Sequence, residues 1–255
     1  MNKKGEFEGR GVIVTGAGSG IGRAAALRFA QLGAHVLLAD LNQDGAEAVV
    51  KEIETNGGTA HAVIGDLSDQ DIVDKVITTA IMSFGEVDVL VNNAGIMDSM
   101  TATADVSDAE WERVIRINLT APFLLTRAAL PHMLSRGSGT IVNTASEASL
   151  RGSAAGTAYT VSKHGLAGLT KSTAIMYRDQ GIRVNAIAPG STRTSVMDTI
   201  TPDDNGSAVI HRYANNVGRG ASAEEVAGAI VFLASDAAGN INGTVLPVDN
   251  GWCAV

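Results

Sequence analysis

Residues 10–22 read RGVIVTGAGSGIG, a short run of β-branched residues that leads directly into a cluster of glycines. The run predicts a buried strand over Arg10–Thr15, and the alanine-rich pattern of Ile21–Leu32 predicts a helix after the glycines. A turn between a strand and a helix presents free backbone N–H groups at the positive end of the helix dipole, where phosphate groups bind. This stretch therefore predicts the start of an α/β fold that carries a phosphate-binding turn.

The spacing of the glycines refines this prediction. Gly16, Gly20 and Gly22 give the pattern T-G-x-x-x-G-x-G, which differs from the spacing G-x-G-x-x-G. A flexible turn without a ligand is the alternative, but the position between a strand and a helix favours the pyrophosphate of a dinucleotide. The candidate cofactor contacts in this turn are Gly16, Ser19, Gly20, Ile21 and Gly22.

The alternation of strand and helix continues along the chain. Further strands are predicted at 34–40, 61–65, 87–91, 140–144, 182–188 and 244–248, and further helices at 42–56, 71–84, 108–134 with an interruption at Pro122, 159–180 and 222–235. The strands are apolar without a polar alternation, which is typical of a parallel sheet covered by helices on both faces. The expected fold class is α/β, a doubly wound Rossmann sheet that is mostly parallel and binds ligands at the carboxyl ends of its strands. Since no linker or repeat interrupts the pattern, we expect 1–255 to form a single dinucleotide-binding domain.

Composition excludes several classes of function. The 255 residues are 45% hydrophobic and 18% charged, as in a soluble globular protein. A formal net charge of -8 disfavours nucleic acid and anionic membrane surfaces as partners. No apolar run approaches the ~18 residues of a membrane span, and Met1–Arg10 lacks the apolar segment of a secretory signal. Cys253 is the only cysteine. We therefore expect a cytoplasmic protein without a disulfide or a metal site.

Asp40 ends the second predicted strand, about 20 residues after the glycine turn. A carboxylate at this position accepts hydrogen bonds from the ribose hydroxyls of an adenosine and repels a 2′-phosphate. The next residue is Leu41 rather than a basic residue, and the turn holds no cation before Arg23. The pattern favours NAD over NADP. Asp40 could instead cap the next helix, but Asn42 can fill that role.

A candidate acid–base group lies in the fifth predicted helix and just before it. Tyr159 and Lys163 are separated by one helical turn, so they share a helix face. A nearby ammonium and an oxidised nicotinamide ring are both expected to lower the pKa of the phenol, which could then exchange a proton with an alcohol or a ketone. Ser146 follows the fifth strand, where its hydroxyl could polarise a substrate carbonyl. A surface tyrosine packed on a lysine stem and a serine in a turn are the alternatives for these residues taken singly.

Together these residues resemble the short-chain dehydrogenase/reductase family in its shorter form. The resemblance covers nearly the whole chain, from Gly9 to Gly251. The matching motifs are Thr15–Gly22, Asp66, Asn92–Gly95, Asn118, Ser146, Tyr159 with Lys163, and Pro189–Gly190. The resemblance implies a seven-stranded sheet, a nicotinamide cofactor and a homotetramer, with a dimer as the alternative.

The resemblance also implies roles for individual residues. Asn118 would hold a water molecule that relays protons to Lys163. The implied cofactor contacts are Asp66 and Leu67 at the adenine, Asn93 at the adenosine ribose, Gly95, Tyr159, Lys163 at the nicotinamide ribose, Pro189, and Thr192 and Thr194 at the carboxamide. The family often reads V-D-G-G near its C-terminus. This chain has Asn250 in that turn, and asparagine tolerates the left-handed conformation.

The leading hypothesis is an oxidoreductase that moves a hydride between NAD(H) and a secondary alcohol or ketone. A dinucleotide-binding regulator without turnover, an epimerase or dehydratase of the same superfamily, and a 3-oxoacyl thioester reductase are the alternatives. The family suggests sugars, steroids and cyclic diols as further substrates. Glu147 directly follows Ser146 and could contact a hydroxylated substrate, or lie solvated at the rim.

Residues 191–219 are rich in polar and turn-forming residues and predict an irregular segment without a long helix. Its scattered apolar residues suit a lid that orders over an apolar pocket and excludes water. The candidate lid residues are Val196, Met197, Ile200, Val209 and Ile210. The alternative is a permanently docked pair of short helices over 200–213.

Overall fold

A computed structural model of the protein describes residues 5–194 and 201–254. Seven strands form one sheet in the order β3-β2-β1-β4-β5-β6-β7. The strands are β1 (Gly11–Thr15), β2 (His35–Asp40), β3 (Thr59–Ile64), β4 (Val89–Asn92), β5 (Gly139–Thr144), β6 (Ile182–Pro189) and β7 (Val245–Val248). Each neighbouring pair of strands is parallel. The predicted doubly wound α/β sheet is confirmed.

Helices cover both faces of this sheet. They are α1 (Gly20–Gln31), α2 (Gln43–Thr55), α3 (Gln70–Phe84), α4 (Asp108–Ile115), α5 (Ala121–Arg136), α6 (Thr157–Tyr177), α7 (Asp204–His211) and α8 (Ala223–Ala234). Alternate residues of one strand enter different cores: Val12 and Val14 pack among α1 and α8, whereas Ile13 packs among α3 and α5. The strands are therefore apolar at consecutive positions because both faces are buried. No helix within the described residues combines the length and apolar character needed to cross a bilayer.

The long helical pattern between β4 and β5 differs from the prediction in one detail. Pro122 does not interrupt it: Pro122 is the second residue of α5, and the helix runs on through it from the turn that precedes α5. The irregularity is a π-helical turn at Arg116–Thr120, which joins α4 to α5. Such turns widen a helix locally and often occur at functional sites.

The predicted irregular segment contains an ordered helix. Asp203 caps α7 by accepting a hydrogen bond from the N–H of Gly206 at 2.7 Å. The N–H of Asp203 donates to the carbonyl of Ser99 at 2.7 Å, so α7 is docked on the loop that follows β4. Val196, Met197 and Ile200 of the predicted lid lie outside the described residues. The lid stays a prediction.

Candidate active site

The parallel strands end at one edge of the sheet, and most of the predicted site residues lie there. Gly16 follows β1, Asp40 ends β2, Asp66 follows β3, Asn93 follows β4, Ser146 follows β5 and Thr192 follows β6. The fold thus brings together residues that are far apart in the sequence.

The glycine turn exposes backbone N–H groups toward this edge. Gly16 has a φ of 63°, and a Cβ there would lie 2.9 Å from the Cα of Ala94. A Cβ on Gly22 would collide with the carbonyl of Gly16, so only glycine fits at this contact. Helix α1 begins at Gly20 after Ser19, whose hydroxyl makes no capping bond. The first N–H groups of α1 are therefore available to a phosphate.

Asp40 lies against the glycine turn. Its Oδ2 accepts a hydrogen bond from the N–H of Gly18 at 2.7 Å, and its Oδ1 accepts one from the N–H of Asn42 at 2.8 Å. Asn42 itself caps α2 through the N–H of Gly45, as the sequence indicated. Leu41 is 74% exposed beside the carboxylate. The glycine turn and the Asp40 carboxylate thus form one surface, and the side chain of Leu41 lies next to it.

The predicted adenosine contacts flank this surface. Asp66 accepts hydrogen bonds from the N–H of Ser68 at 2.9 Å and from its hydroxyl at 2.7 Å, and these bonds lower the pKa of the carboxyl. Leu67 is buried in the core. Asn93 donates from its side chain to the carbonyl of Thr15 at 3.0 Å. The ends of β4 and β1 are therefore tied together by the Asn93 amide.

The loop after β6 approaches the glycine turn. Thr192, three residues after Pro189, pairs with Ala221 in an isolated β-bridge. The Cγ2 of Thr194 lies 3.2 Å from the position that a Cβ on Gly20 would occupy. The loop after β6 and the glycine turn after β1 therefore lie next to each other at this edge of the sheet.

The candidate acid–base residues come together on α6 and β5. The Nζ of Lys163 donates a hydrogen bond to the carbonyl of Thr144 at 2.8 Å and lies 5.4 Å from the centre of the Tyr159 ring. The hydroxyl of Ser146 lies close enough to the phenol of Tyr159 to influence its protonation. Tyrosine, lysine and serine form the compact group that their spacing indicated.

The electrostatics of this group differ from the expectation. Burial raises the pKa of Tyr159 to about 12, although the neighbouring hydroxyl of Ser146 works against the rise. Burial also lowers the pKa of Lys163 to about 8. The lowering of the phenol pKa expected from the lysine does not show in the protein without ligand, where burial has the larger effect. The further lowering expected from an oxidised nicotinamide ring stays a prediction.

Asn118 lies in the π-helical turn Arg116–Thr120 and is fully buried. Its side chain is fixed by two bonds to Ile96: Oδ1 accepts from the N–H at 2.9 Å, and Nδ2 donates to the carbonyl at 2.8 Å. A Cβ on Gly95 would lie 3.2 Å from Asn118 Oδ1 and 3.4 Å from Lys163 Nζ. Asn118 Oδ1 and Lys163 Nζ thus both lie beside Gly95, and the implied proton relay stays a prediction.

Two residues at this site were not predicted. Ser162 accepts from Nδ2 of Asn118 at 3.2 Å and donates to the carbonyl of Tyr159 at 2.7 Å. Asp98 accepts a hydrogen bond from the N–H of Tyr159 at 2.8 Å. Ser162 lies inside the Y-x-x-x-K motif, which could have drawn attention to it, whereas nothing in the sequence connects Asp98 with α6.

Glu147 is not solvated at the rim, because only 1% of its surface is exposed. Its Oε1 lies 2.5 Å from Nε of Arg151, and the carboxyl of Asp249 lies nearby. Burial raises the pKa of Glu147 to about 7. With Cys253, these acids form the one group of three potential metal ligands in residues 5–194 and 201–254, within 4.8 Å of one another. Since the Arg151 guanidinium already pairs with the Glu147 carboxyl, we assign no metal there.

Comparison with known proteins agrees with this geometry. A family profile described as "Enoyl-(Acyl carrier protein) reductase" matches residues 16–253. The 3beta-hydroxysteroid dehydrogenase 2 of Eggerthella lenta is 41% identical over 248 residues, which cover 96% of this chain and 95% of that protein. The cis-4-hydroxycyclohexanecarboxylate dehydrogenase of Sinomonas cyclohexanicum is 41% identical over 249 residues, which cover 98% of each.

A solved structure extends the likeness to three dimensions. It is described as a candidate NAD(P) dependent gluconate 5-dehydrogenase from Beutenbergia cavernae with NADP bound at low occupancy. Its TM-score is 0.87 at 42% identity, and the match covers 99% of this chain and 100% of that one. Since that neighbour holds NADP, the family likeness does not decide between NAD and NADP.

The chain belongs to the short-chain dehydrogenase/reductase family. It is an oxidoreductase that uses a nicotinamide dinucleotide to interconvert secondary alcohols and ketones. The resemblance seen in the motifs and the predicted class of reaction are both confirmed.

Proposed function

We propose that this oxidoreductase is NAD-dependent and acts on a secondary alcohol or ketone whose reacting carbon lies in a ring. The observation that carries the proposal is the group formed by the half-buried Tyr159 and Ser146 and the buried Lys163 at the carboxyl ends of the strands. The ring is favoured because a hydroxysteroid and a hydroxycyclohexane derivative are named as substrates of two relatives. Both present a hydroxyl on a ring carbon.

Tyr159 exchanges the proton in this proposal. Its phenol is protonated at neutral pH, since its pKa is about 12, and is therefore ready to act as the acid in ketone reduction. In alcohol oxidation it must accept the hydroxyl proton. The ammonium of Lys163, 5.4 Å from the ring centre, favours the phenolate that does so. When bound, the nicotinamide ring accepts the hydride in oxidation and donates it in reduction.

Ser146 positions the substrate oxygen. Its hydroxyl is a neighbour of the Tyr159 phenol, so both can contact one oxygen atom placed between them. A water molecule at Asn118 would connect Lys163 to solvent, since the two side chains approach each other at Gly95.

The remaining site residues hold the cofactor. N–H groups of the glycine turn and of α1 bind the pyrophosphate, and the loop after β6 contacts the nicotinamide carboxamide. We assign cofactor contacts to Gly16, Ser19, Gly20, Ile21, Gly22, Asp40, Leu41, Asp66, Leu67, Asn93, Gly95, Tyr159, Lys163, Pro189, Thr192 and Thr194. Leu67 is buried, so its contact is assigned to its backbone.

Asp40 supports the preference for NAD. Its carboxylate lies 2.7 Å from the N–H of Gly18, where the adenosine ribose would meet the turn, and would repel a 2′-phosphate. Leu41 offers no cation, and the guanidinium of Arg23 is paired with Glu52 at 2.6 Å.

A substrate panel tests the proposal. The purified protein is incubated with cyclic secondary alcohols and NAD or NADP, and with the ketones and NADH or NADPH, while the absorbance of the reduced cofactor is followed. We expect turnover of ring substrates with NAD(H) at a higher kcat/KM than with NADP(H). Turnover of a 3-oxoacyl thioester but of no ring substrate would contradict the substrate class, and equal use of both cofactors would contradict the role of Asp40.

We also propose a cytoplasmic homotetramer that folds as one dinucleotide-binding domain. Support comes from the family likeness and from the lone cysteine, which has no intramolecular disulfide partner. Light scattering of the purified protein and fractionation of cells test the two proposals; a monomer or a membrane-bound fraction would contradict them.

A further inference from the structure

The helix that carries Tyr159 begins without a side-chain cap of its own. The residue before α6 is Gly156, which has no side chain to accept a bond from the first turn. The N–H groups of a first helical turn have no partner within the helix, and buried ones need an acceptor. Tyr159 contributes one of these N–H groups, since it is the third residue of α6.

Asp98, on the loop after β4, supplies the missing acceptor. Its side chain is fully buried. Oδ2 accepts from the N–H of Tyr159 at 2.8 Å, and Oδ1 accepts from the N–H groups of Gly156 at 3.1 Å and Met100 at 3.0 Å. A Cβ on Gly156 would lie 2.6 Å from Oδ2, so the absence of a side chain there makes room for the carboxylate.

The loop that carries Asp98 is itself held in place. Glu110 of α4 accepts a hydrogen bond from the N–H of Ser99 at 2.7 Å and another from the hydroxyl of Thr101 at 3.1 Å. The carbonyl of Thr101 in turn accepts from the N–H of Thr157, the first residue of α6, at 3.1 Å. The loop that holds the Asp98 carboxylate against α6 is therefore itself restrained by several hydrogen bonds.

We propose that Asp98 is a positioning residue for Tyr159: it caps α6 from the β4–α4 loop and so fixes the backbone of Tyr159 for proton transfer. The proposal rests on the proposed role of Tyr159. A cap on the residue that bears the phenol restrains that phenol more directly than packing elsewhere on the helix.

The negative charge of Asp98 should also affect the titration of Tyr159, which a cap without charge would not do. The titratable groups that face Asp98 are Glu110 from α4, which repels it, and Tyr159 from α6. The phenol is faced by Asp98, by the hydroxyl of Ser146 and by the ammonium of Lys163. The carboxylate opposes the phenolate and raises the pKa of Tyr159. Removal of this charge should therefore shift the titration of Tyr159 to lower pH.

Two variants separate position from charge. Asp98→Asn keeps the shape and one acceptor oxygen but removes the charge, so kcat should fall about tenfold, as expected for ~1.4 kcal/mol of lost transition-state positioning. The pH profile of alcohol oxidation should move to lower pH, and the KM of NAD should stay within about twofold. Asp98→Glu keeps the charge and displaces it by one methylene, so kcat should fall without that shift.

Asp69→Asn, at the N-cap of α3, is the matched control and should retain the wild-type kcat and pH profile.

A spectroscopic readout makes the test independent of turnover. The chain has three tyrosines, so ¹³C labelling of tyrosine Cζ gives three signals, and Tyr159→Phe identifies the one from Tyr159. In Asp98→Asn this signal should titrate at lower pH than in the wild type. An unshifted signal, or a kcat equal to that of Asp69→Asn, would overturn the proposal. If Tyr159→Phe keeps full activity while the signal still shifts, the proposed function fails and the contact between Asp98 and Tyr159 stands.

Discussion

Glu147 should make the protein less stable as the pH rises from acid to neutral. Its pKa is raised from 4.5 to about 7, because the carboxyl is buried beside Asp249. Between these values the unfolded chain has released the proton and the native chain retains it, so each increase in pH favours unfolding. At ~1.4 kcal/mol per pH unit, the free energy of unfolding should fall by about 3 kcal/mol across this range. The lowered pKa of Asp249 acts below the range and leaves this sign unchanged.

The test compares the wild type with Glu147→Gln. Urea unfolding is measured at a fixed protein concentration from about pH 4.5 to pH 8. Glutamine has no proton to release, so the difference in free energy of unfolding should shift by about 3 kcal/mol in favour of the variant. The raised pKa of Asp98 contributes equally to both proteins and cancels. Glu54→Gln, on the exposed side of α2, is the control and should follow the wild type. Parallel curves for the wild type and Glu147→Gln would refute the reasoning.

Three further outcomes are expected. Replacement of Asp40 by Ala together with Leu41→Arg should raise the ratio of kcat/KM for NADP to kcat/KM for NAD by about 10–100-fold, because a repulsive charge is removed and a cation that can pair with the 2′-phosphate is added. An unchanged ratio would show that Asp40 does not determine the choice of cofactor. Gly22→Ala should weaken NAD binding measured by calorimetry, since its methyl group would collide with the carbonyl of Gly16, and wild-type affinity would contradict this account of the turn. Hydrogen exchange in 191–219 should slow when NAD and a substrate analogue bind; equal, high protection in both states would show docked helices instead of a lid.

The sheet and its cofactor edge could be predicted from the sequence because their signals are local. Each strand is a short apolar run next to glycine or a polar residue. Because both faces of each strand are buried, its residues are apolar at consecutive positions and do not alternate with polar ones. Since parallel strands end at the same edge, residues placed after them were predicted to converge. Asp40 and Ser146 were found in this way. Asn250, with a φ of 56°, adopts the predicted left-handed turn.

The contacts that were missed connect distant parts of the chain. Asp98 and Tyr159 are 61 positions apart, and no periodicity relates a loop carboxylate to the first turn of a later helix. The burial of Glu147 depends on Asp249 and Cys253 near the C-terminus. The rise in the pKa of Tyr159 likewise follows from burial, which spacing alone does not reveal.

The central claim, that Tyr159 moves the proton in an NAD-linked reaction, is tested most directly by Tyr159→Phe. The substitution removes the hydroxyl and keeps the ring, so kcat should fall by ~10²–10⁴ while NAD affinity, measured by calorimetry, stays near the wild-type value. Turnover near the wild-type rate, with the fold and NAD affinity unchanged, would contradict the account.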